Sequence, residues 1–177
     1  MSTYADEAAF ASMYETEAWR VYAYARRHTD AERAHDVVSD VFLAAWRHRQ
    51  ALPTPPLPWL LVTARNCVAN HWRSRSRQDR LAAHLAGIEH LASYSDADVT
   101  DRLGLARAFA ALSLDDRETL LLVGWDGLTP SEAAQVLGCS ANTFAARLSR
   151  ARRRFSDFIE GPAPRHHLVP LPTGDPS

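Results

Sequence analysis

Residues Thr129 to Arg154 read TPSEAAQVLGCSANTFAARLSRARRR, and the fold is decided there. Thr129 is placed to N-cap a helix, Pro130 suits its first position, and Glu132 completes a Thr-x-x-Glu capping box. Ala133, Ala134 and Leu137 give that helix a small apolar inner face, which lets another helix cross closely. Gly138 suits the left-handed residue that ends it. Ser140 is placed to cap the next helix, along which Phe144, Leu148, Ala151 and Phe155 recur at helical spacing. Its other faces carry Arg147, Arg150, Arg152, Arg153 and Arg154. The spacing predicts a helix-turn-helix, whose second helix lies in the DNA major groove with its early residues at base edges. The bland alternative is a solvated surface helix with two ordinary caps. Caps, turn and charge agree on nucleic acid instead.

At 177 residues the chain is long enough for one ordinary domain or two small ones. Its formal net charge of -1 argues at first against a nucleic-acid binder, but the distribution reverses that impression. All 20 basic residues are arginines. Arg65, Arg73, Arg75, Arg77 and Arg80 crowd one segment, and the arginines from Arg147 crowd another. Between them Asp96, Asp98, Asp101, Asp115, Asp116, Glu118 and Asp126 make the middle acidic. Two basic clusters separated by acid predict two DNA-facing surfaces. Cys67 and Cys139 form no disulfide framework, the N-terminus is too polar for a signal peptide, and no apolar run is long enough to span a membrane. The expectation is a reduced, cytoplasmic protein.

Outward from the quoted stretch, apolar residues keep helical spacing and never alternate. One helix is predicted from Phe10 to His28, with Phe10, Met13, Tyr14, Trp19, Val21, Tyr22 and Ala25 inward and residues 1–9 frayed. A second, from about Asp30 to Arg49, buries Ala34, Val37, Val38, Val41, Phe42 and Trp46 and exposes Glu32, Asp36, Ser39 and Asp40. Pro53, Pro55, Pro56 and Pro58 force an extended loop. Trp59 to Arg73 is a third helix; Leu103–Leu112 and Ser113–Trp125 are two more before the helix-turn-helix. The fold class is therefore all-α, with two small helical domains at 10–78 and 103–159. A flexible linker, 79–102, joins them, and a proline-rich tail, 160–177, is expected to be disordered.

Asp36-Val-Val-Ser-Asp40-Val-Phe42-Leu-Ala-Ala-Trp46, Pro58-Trp59-Leu60-Leu-Val-Thr-Ala64-Arg65-Asn66 and Ala111–Leu121 with Thr129–Arg154 occur in an order that resembles the extracytoplasmic-function (group IV) sigma factors, bacterial RNA polymerase subunits of the sigma-70 family. The resemblance implies a sigma-2 domain that docks core polymerase at its clamp coiled coil and opens the −10 element. It implies a sigma-4 domain that binds the −35 element and the polymerase flap, and an anti-sigma factor that covers both basic faces. Asp36, Ser39 and Asp40 then face the clamp, although the family usually has glutamine where this chain has Ser39. Arg65, Asn66, Asn70, Arg73 and Arg75 face the −10 strand, the arginines on phosphate and the asparagines on unstacked bases. Asn66 also suits a local hydrogen bond that fixes the preceding loop. Gln50 to Leu57 is the loop that would cup a flipped base, and its prolines depart from the family's usual aromatic or charged loop.

In the helix-turn-helix, Asn142, Ala145, Ala146, Ser149 and Arg150 are expected toward the major groove, with Asn142 and Arg150 on bases. Many relatives have arginine where this chain has Ala145. Arg147, Arg152, Arg153 and Arg154 are assigned to phosphate, or Arg147 to packing its stem on the first helix. No nucleophile motif, phosphate-binding loop or zinc set is legible, Cys67 and His71 lacking a second ligand pair, so the chain is expected to be no enzyme and to need no cofactor or metal. The rival class is a helix-turn-helix regulator that binds duplex operators without polymerase. Such a protein has no use for the Asp36/Asp40 face, the proline loop and the asparagine-arginine helix together.

Overall fold

The computed structural model describes residues 3–72 and 99–160. Arg73, Arg75, most of the expected linker and the tail after Glu160 lie outside the described residues. Among the described residues the chain is helical, without strands: α1 (Thr3–Arg26), α2 (Ala31–Arg47), a short 3-10 turn (Arg49–Ala51), α3 (Leu57–Trp72), α4 (Val99–Ala111), α5 (Leu114–Gly124), α6 (Pro130–Leu137) and α7 (Ala141–Glu160). Two helices start earlier than their apolar pattern announces. α1 already begins at Thr3, within the stretch expected to fray, and α4 begins at Val99, within the expected linker.

Local chemistry sets the helix ends. Asp30 Oδ1 accepts the Arg33 amide at 3.0 Å and starts α2. Ser113 caps α5 through the Asp116 amide. The buried Arg117 donates to the carbonyls of Leu112 and Ala110, which satisfies the end of α4. At Thr129 the capping box forms in full: the Thr129 amide donates to Glu132 Oε2 at 2.7 Å and the Glu132 amide donates to Thr129 Oγ1. Gly138 ends α6 with φ at 65°, while its amide and that of Cys139 donate to the carbonyls of Gln135 and Ala134. This is the paired closure of a Schellman turn. Ser140 Oγ then accepts the Thr143 amide at 3.1 Å and opens α7.

α1, α2 and α3 pack together, and α4 to α7 form the second group. α2 buries Ala34, Val37, Val38, Val41, Phe42 and Ala45. Trp46, expected inside, is only half-buried, edge-on to Phe10 at 4.9 Å. Two further aromatics depart from expectation. Trp19 lies about half a turn from the buried Val21 and stays 45% exposed; Tyr14 leans edge-on against Phe42 and stays 46% exposed. A helix packed on one side has room for one apolar stripe, so its spare aromatics face out.

The two groups do not stand apart. α3 packs against α6, and one apolar cluster runs from Val21, Leu60 and Leu61 to Leu122, Leu128 and Phe144. Charged groups from the acidic middle close the same junction. Arg27 Nη2 meets Asp126 Oδ2 at 2.6 Å, with both side chains at most 5% exposed. Arg20 donates to the Asp126 carbonyl. The Tyr24 hydroxyl donates to Glu118 Oε1 at 3.0 Å, and the Arg65 guanidinium lies 3.9 Å from that oxygen. Burial raises the Asp126 carboxyl against the opposing pull of Arg27. Gly127, with φ at 66°, provides the turn that aims Asp126 inward.

His28 stands in this junction, 3.9 Å from Glu118 and beside the Tyr24 ring. Burial, then the charges of Arg27 and Arg65, lower its pKa to about 3, so the packed state holds it neutral. In the unfolded chain it titrates near 6.5, so its contribution is complete above that pH and is lost as pH falls toward 3. Between pH 7.5 and 5.5 the wild type should lose about 1 kcal/mol more stability than His28→Gln. Denaturant melts at both pH values measure the difference, and parallel losses refute the assignment.

Candidate nucleic-acid interface

At about 100° per residue, α7 divides cleanly. Phe144, Leu148 and Ala151 are buried against the rest of the bundle, and Phe155 meets Phe109 edge-on. The opposite face carries Asn142, Ala146, Ser149, Arg150 and Arg153, with Ala145 at its edge, and all six are exposed. Arg147 and Arg152 flank that face, also exposed. The small Ala133 and Ala134 on α6 are fully buried where α7 crosses, so the support beneath this surface is close-packed.

Arg154 differs from its neighbours. Its Nη1 lies 2.6 Å from Asp116 Oδ2, at the start of α5, where the helix dipole also favours the carboxylate. The pair tethers the far part of α7 to α5, and this arginine already has an anionic partner.

On α3, Leu60, Leu61, Ala64 and Val68 are buried, which turns Arg65, Asn66 and Asn70 outward onto one exposed surface. Among the described residues Asn66 makes no hydrogen bond to the loop before it, whereas Thr63 Oγ1 donates to the Trp59 carbonyl. Arg73 and Arg75 would continue this surface but lie outside the described residues. Beside the proline loop is a recess of about 250 Å³ lined by Phe10, Met13, Arg49, Leu52, Pro53 and Pro56. Arg49 is pinned at its rim, its guanidinium 4.4 Å from the Trp46 ring and donating to the Trp46 carbonyl. α1 supplies Ala9, Phe10 and Met13 to this wall, a contribution that the sequence pattern of the loop does not reveal.

On α2, Asp36, Ser39 and Asp40 form an exposed row. Leu43 continues it and is about half exposed. The signal for Leu43 is present in the sequence: it is an apolar residue off the stripe that begins at Ala34, and such a residue has no inward partner. Asp40 also bears on Cys67, whose thiol is raised first by burial and then by that carboxylate. A raised thiol is neither a nucleophile nor a ready metal ligand. Among the described residues no cluster of three metal-ligating side chains occurs, and no helix is long and apolar enough to cross a membrane.

Comparison with known proteins places these surfaces in a family. Sigma-70 region 2 matches residues 13–78, and Sigma-70, region 4, matches residues 102–155. The chain is 35% identical over 153 residues to the ECF RNA polymerase sigma factor SigC of Mycobacterium tuberculosis, covering 81% of this chain and 78% of that protein. It is 30% identical over 155 residues to SigL of the same species, covering 84% and 88%. Among solved structures, the sigma factor RpoE of Bartonella quintana, in complex with the anti-sigma factor NepR, shares the fold with a TM-score of 0.61 at 23% identity, over 86% of this chain and 97% of that one. CnrH, in complex with the cytosolic domain of CnrY, gives 0.59 at 25%, over 87% and 89%. The chain belongs to the extracytoplasmic-function sigma factors of the sigma-70 family. It is a subunit that confers promoter-specific initiation on core RNA polymerase, and by family a transcription initiation factor, not an enzyme.

The Asp116 pair separates Arg154 from the other arginines of α7 by experiment. Because Arg154 is half exposed, Arg154→Ala should cost only about 0.5–1 kcal/mol of folding stability. Arg153, with no such carboxylate among the described residues, should leave the melting midpoint unchanged when replaced as Arg153→Ala. Thermal melts of the two variants decide; equal midpoints would remove the tether.

Proposed function

We propose that the exposed surfaces of α2, α3 and α7 divide the work of this sigma factor between docking, −10 opening and −35 recognition. The domain at 10–78 carries the first two tasks and the domain at 103–159 the third. The observation that carries this reading is the two-faced character of all three helices. Each buries a continuous apolar stripe and leaves a chemically distinct row in water: acidic on α2, asparagine and arginine on α3, arginine with small residues on α7.

The acidic row suits a basic coiled coil on the polymerase clamp, where complementary charge sets register and association rate. Asp36, Ser39 and Asp40 make that contact, and Leu43 adds an apolar point beside them. On α3, Asn66 and Asn70 take hydrogen bonds from unstacked bases of the −10 strand while Arg65, Arg73 and Arg75 hold phosphates. The recess beside Pro53 and Pro56 has the size and the mixed apolar and cationic lining to receive one flipped base. Duplex opening costs about 1.4 kcal/mol per stacked step, and base capture together with polymerase contacts offsets it without nucleotide hydrolysis.

On α7, the small Ala145 and Ala146 let the helix seat deeply, and Asn142 and Arg150 stand at the height of the base edges. Arg147, Arg152 and Arg153 contact phosphate; Arg154 does so only by exchanging Asp116 for it. The second domain also meets the polymerase flap. An anti-sigma factor is the proposed restraint on the free protein, on the strength of the family, and the cytoplasm its proposed compartment. The duplex-operator rival gives no role to the acidic row or the asparagine surface.

Run-off transcription with bacterial core polymerase on fragmented genomic DNA tests the whole reading, which requires new discrete start sites. Asp36→Arg should weaken capture of core polymerase about tenfold or more while helical content stays constant; unchanged capture removes the clamp assignment. On a cognate −35 duplex, Arg150→Ala should cost about 1–3 kcal/mol and relax base preference. Arg153→Ala should weaken cognate and scrambled duplexes alike and lower the salt slope by about one. Identical behaviour of the two variants on both duplexes would overturn the choice of Arg150 as base reader.

A further inference from the structure

The recess beside the proline loop has a chemical bias of its own. Phe10 is held in its lining by edge-on contacts with the Trp46 ring at 4.9 Å and the Phe42 ring at 6.3 Å. Met13, Pro53 and Pro56 add to the apolar wall, and Arg49 and Thr54 are its polar side chains. The backbone places Arg49. The His48 amide closes α2 on the Ala44 and Ala45 carbonyls, and the Ala51 amide then donates to the His48 carbonyl at 2.8 Å. The Arg49 guanidinium lies over the Trp46 ring with Nη1 on the Trp46 carbonyl at 3.0 Å. Its Nε is buried and has no acceptor among the described residues. Arg47, two residues earlier, stands exposed, as suits an arginine that meets phosphate. Arg49 is drawn into the wall instead.

The bias is toward acceptors. A guanidinium carries N–H donors and no acceptor. Pro53, Pro55 and Pro56 bring no amide N–H to the loop, so an acceptor edge entering the recess finds its donors on Arg49. The Thr54 hydroxyl donates or accepts and therefore suits any base. Guanine presents two acceptors, O6 and N7, along one edge, which matches the two arms of an arginine fork. Thymine presents one, O4. Adenine sets an amino donor beside its N7, and cytosine offers only its amino group on that edge. An amino group against the guanidinium leaves donors facing each other unpaired, which costs more than one hydrogen bond gains.

We propose that Arg49 makes this recess selective for guanine: the base extruded from the −10 strand is a guanine whose O6 and N7 accept from the guanidinium while Phe10 and Met13 meet its ring. The proposal rests on the −10 reading above and adds the identity of the base to it. The Trp46 ring and carbonyl hold the guanidinium before any base arrives, so little side-chain freedom is lost on binding. Lysine in its place would supply a point charge without the fork. An Arg49 that served only to cover Trp46, or only to hold phosphate, would be indifferent to the base.

Two measurements test it. In the first, the isotope-labelled full chain is titrated with pentanucleotides of deoxyadenosine that differ only in a central guanine, thymine, cytosine or adenine. The Arg49 Nε–H and Met13 methyl resonances should move with the guanine strand at about tenfold lower concentration than with the adenine or cytosine strand. In the second, holoenzyme transcribes a promoter found by run-off, with each −10 position of the non-template strand set to each base in turn. One position should favour guanine about tenfold, and a guanine analogue with carbon in place of N7 should lose that advantage. Arg49→Lys should abolish the preference at unchanged capture of core polymerase, and Arg49→Gln should turn it toward adenine, the partner of a carboxamide. Circular dichroism checks the fold; if Arg49→Gln loses helix, Arg49→Lys, which keeps the positive charge, carries the comparison. Equal resonance shifts with all four strands overturn the proposal, as does a loss in the variants that is uniform over the four bases. Start sites without a guanine preference would overturn it and leave the sigma-factor reading standing. Guanine-selective shifts without start sites would instead overturn the −10 assignment and keep the recess as a guanine site.

Discussion

Among the described residues Asp126 is held from several sides at once, by Arg27 on its carboxylate and Arg20 on its carbonyl. It lies in a turn that needs positive φ at Gly127, it is almost wholly removed from water, and its counter-charge, Arg27, comes from the turn after α1, about a hundred residues earlier. Burying two charges costs several kcal/mol per ion after relaxation, and their attraction seldom exceeds that cost by much. The stabilisation of the junction therefore comes from the apolar cluster around it, in which Leu122 and Leu128 meet the residues of α1 and α3. The pair supplies orientation. With Arg27 replaced by an aliphatic residue and Asp126 intact, the apolar seam would persist but its carboxylate would forbid the fit. α3 would then lose its fixed bearing on α6, and with it the relation between the two surfaces proposed to face DNA.

The same internal pairing resolves the charge balance. A chain with net charge near zero is a poor candidate for polyanion binding if its charges are spread evenly. Here the carboxylates of Asp116, Glu118 and Asp126 are drawn inward or to a domain edge, each beside an arginine or tyrosine of its own chain. The arginines at 147, 150, 152 and 153 stay in water. What DNA would meet is the local field of α7, and it is positive whatever the sum over the molecule. Among the described residues no ion pair neutralises Asp36 or Asp40 on α2, which suits that row to a cationic partner.

How much of this was legible depended on the distance over which each feature is encoded. The helix-turn-helix was legible to the residue because every device in it is local: Thr129 to Glu132, Pro130, Gly138 and Ser140 act within one turn. The stripe of α2 was legible for the same reason, since Val37, Val38, Val41 and Phe42 share a period. Trp19 and Trp46 misled, because a large apolar side chain predicts burial only where a partner surface exists, and α1 is covered on one side. In the sequence the acidic middle only separates two basic clusters; in the structure Tyr24 donates to Glu118 and Arg27 to Asp126. Nothing in the local pattern of either segment announces a pairing across so long a sequence separation. The wall that α1 lends to the recess at Pro53 was hidden for the same reason.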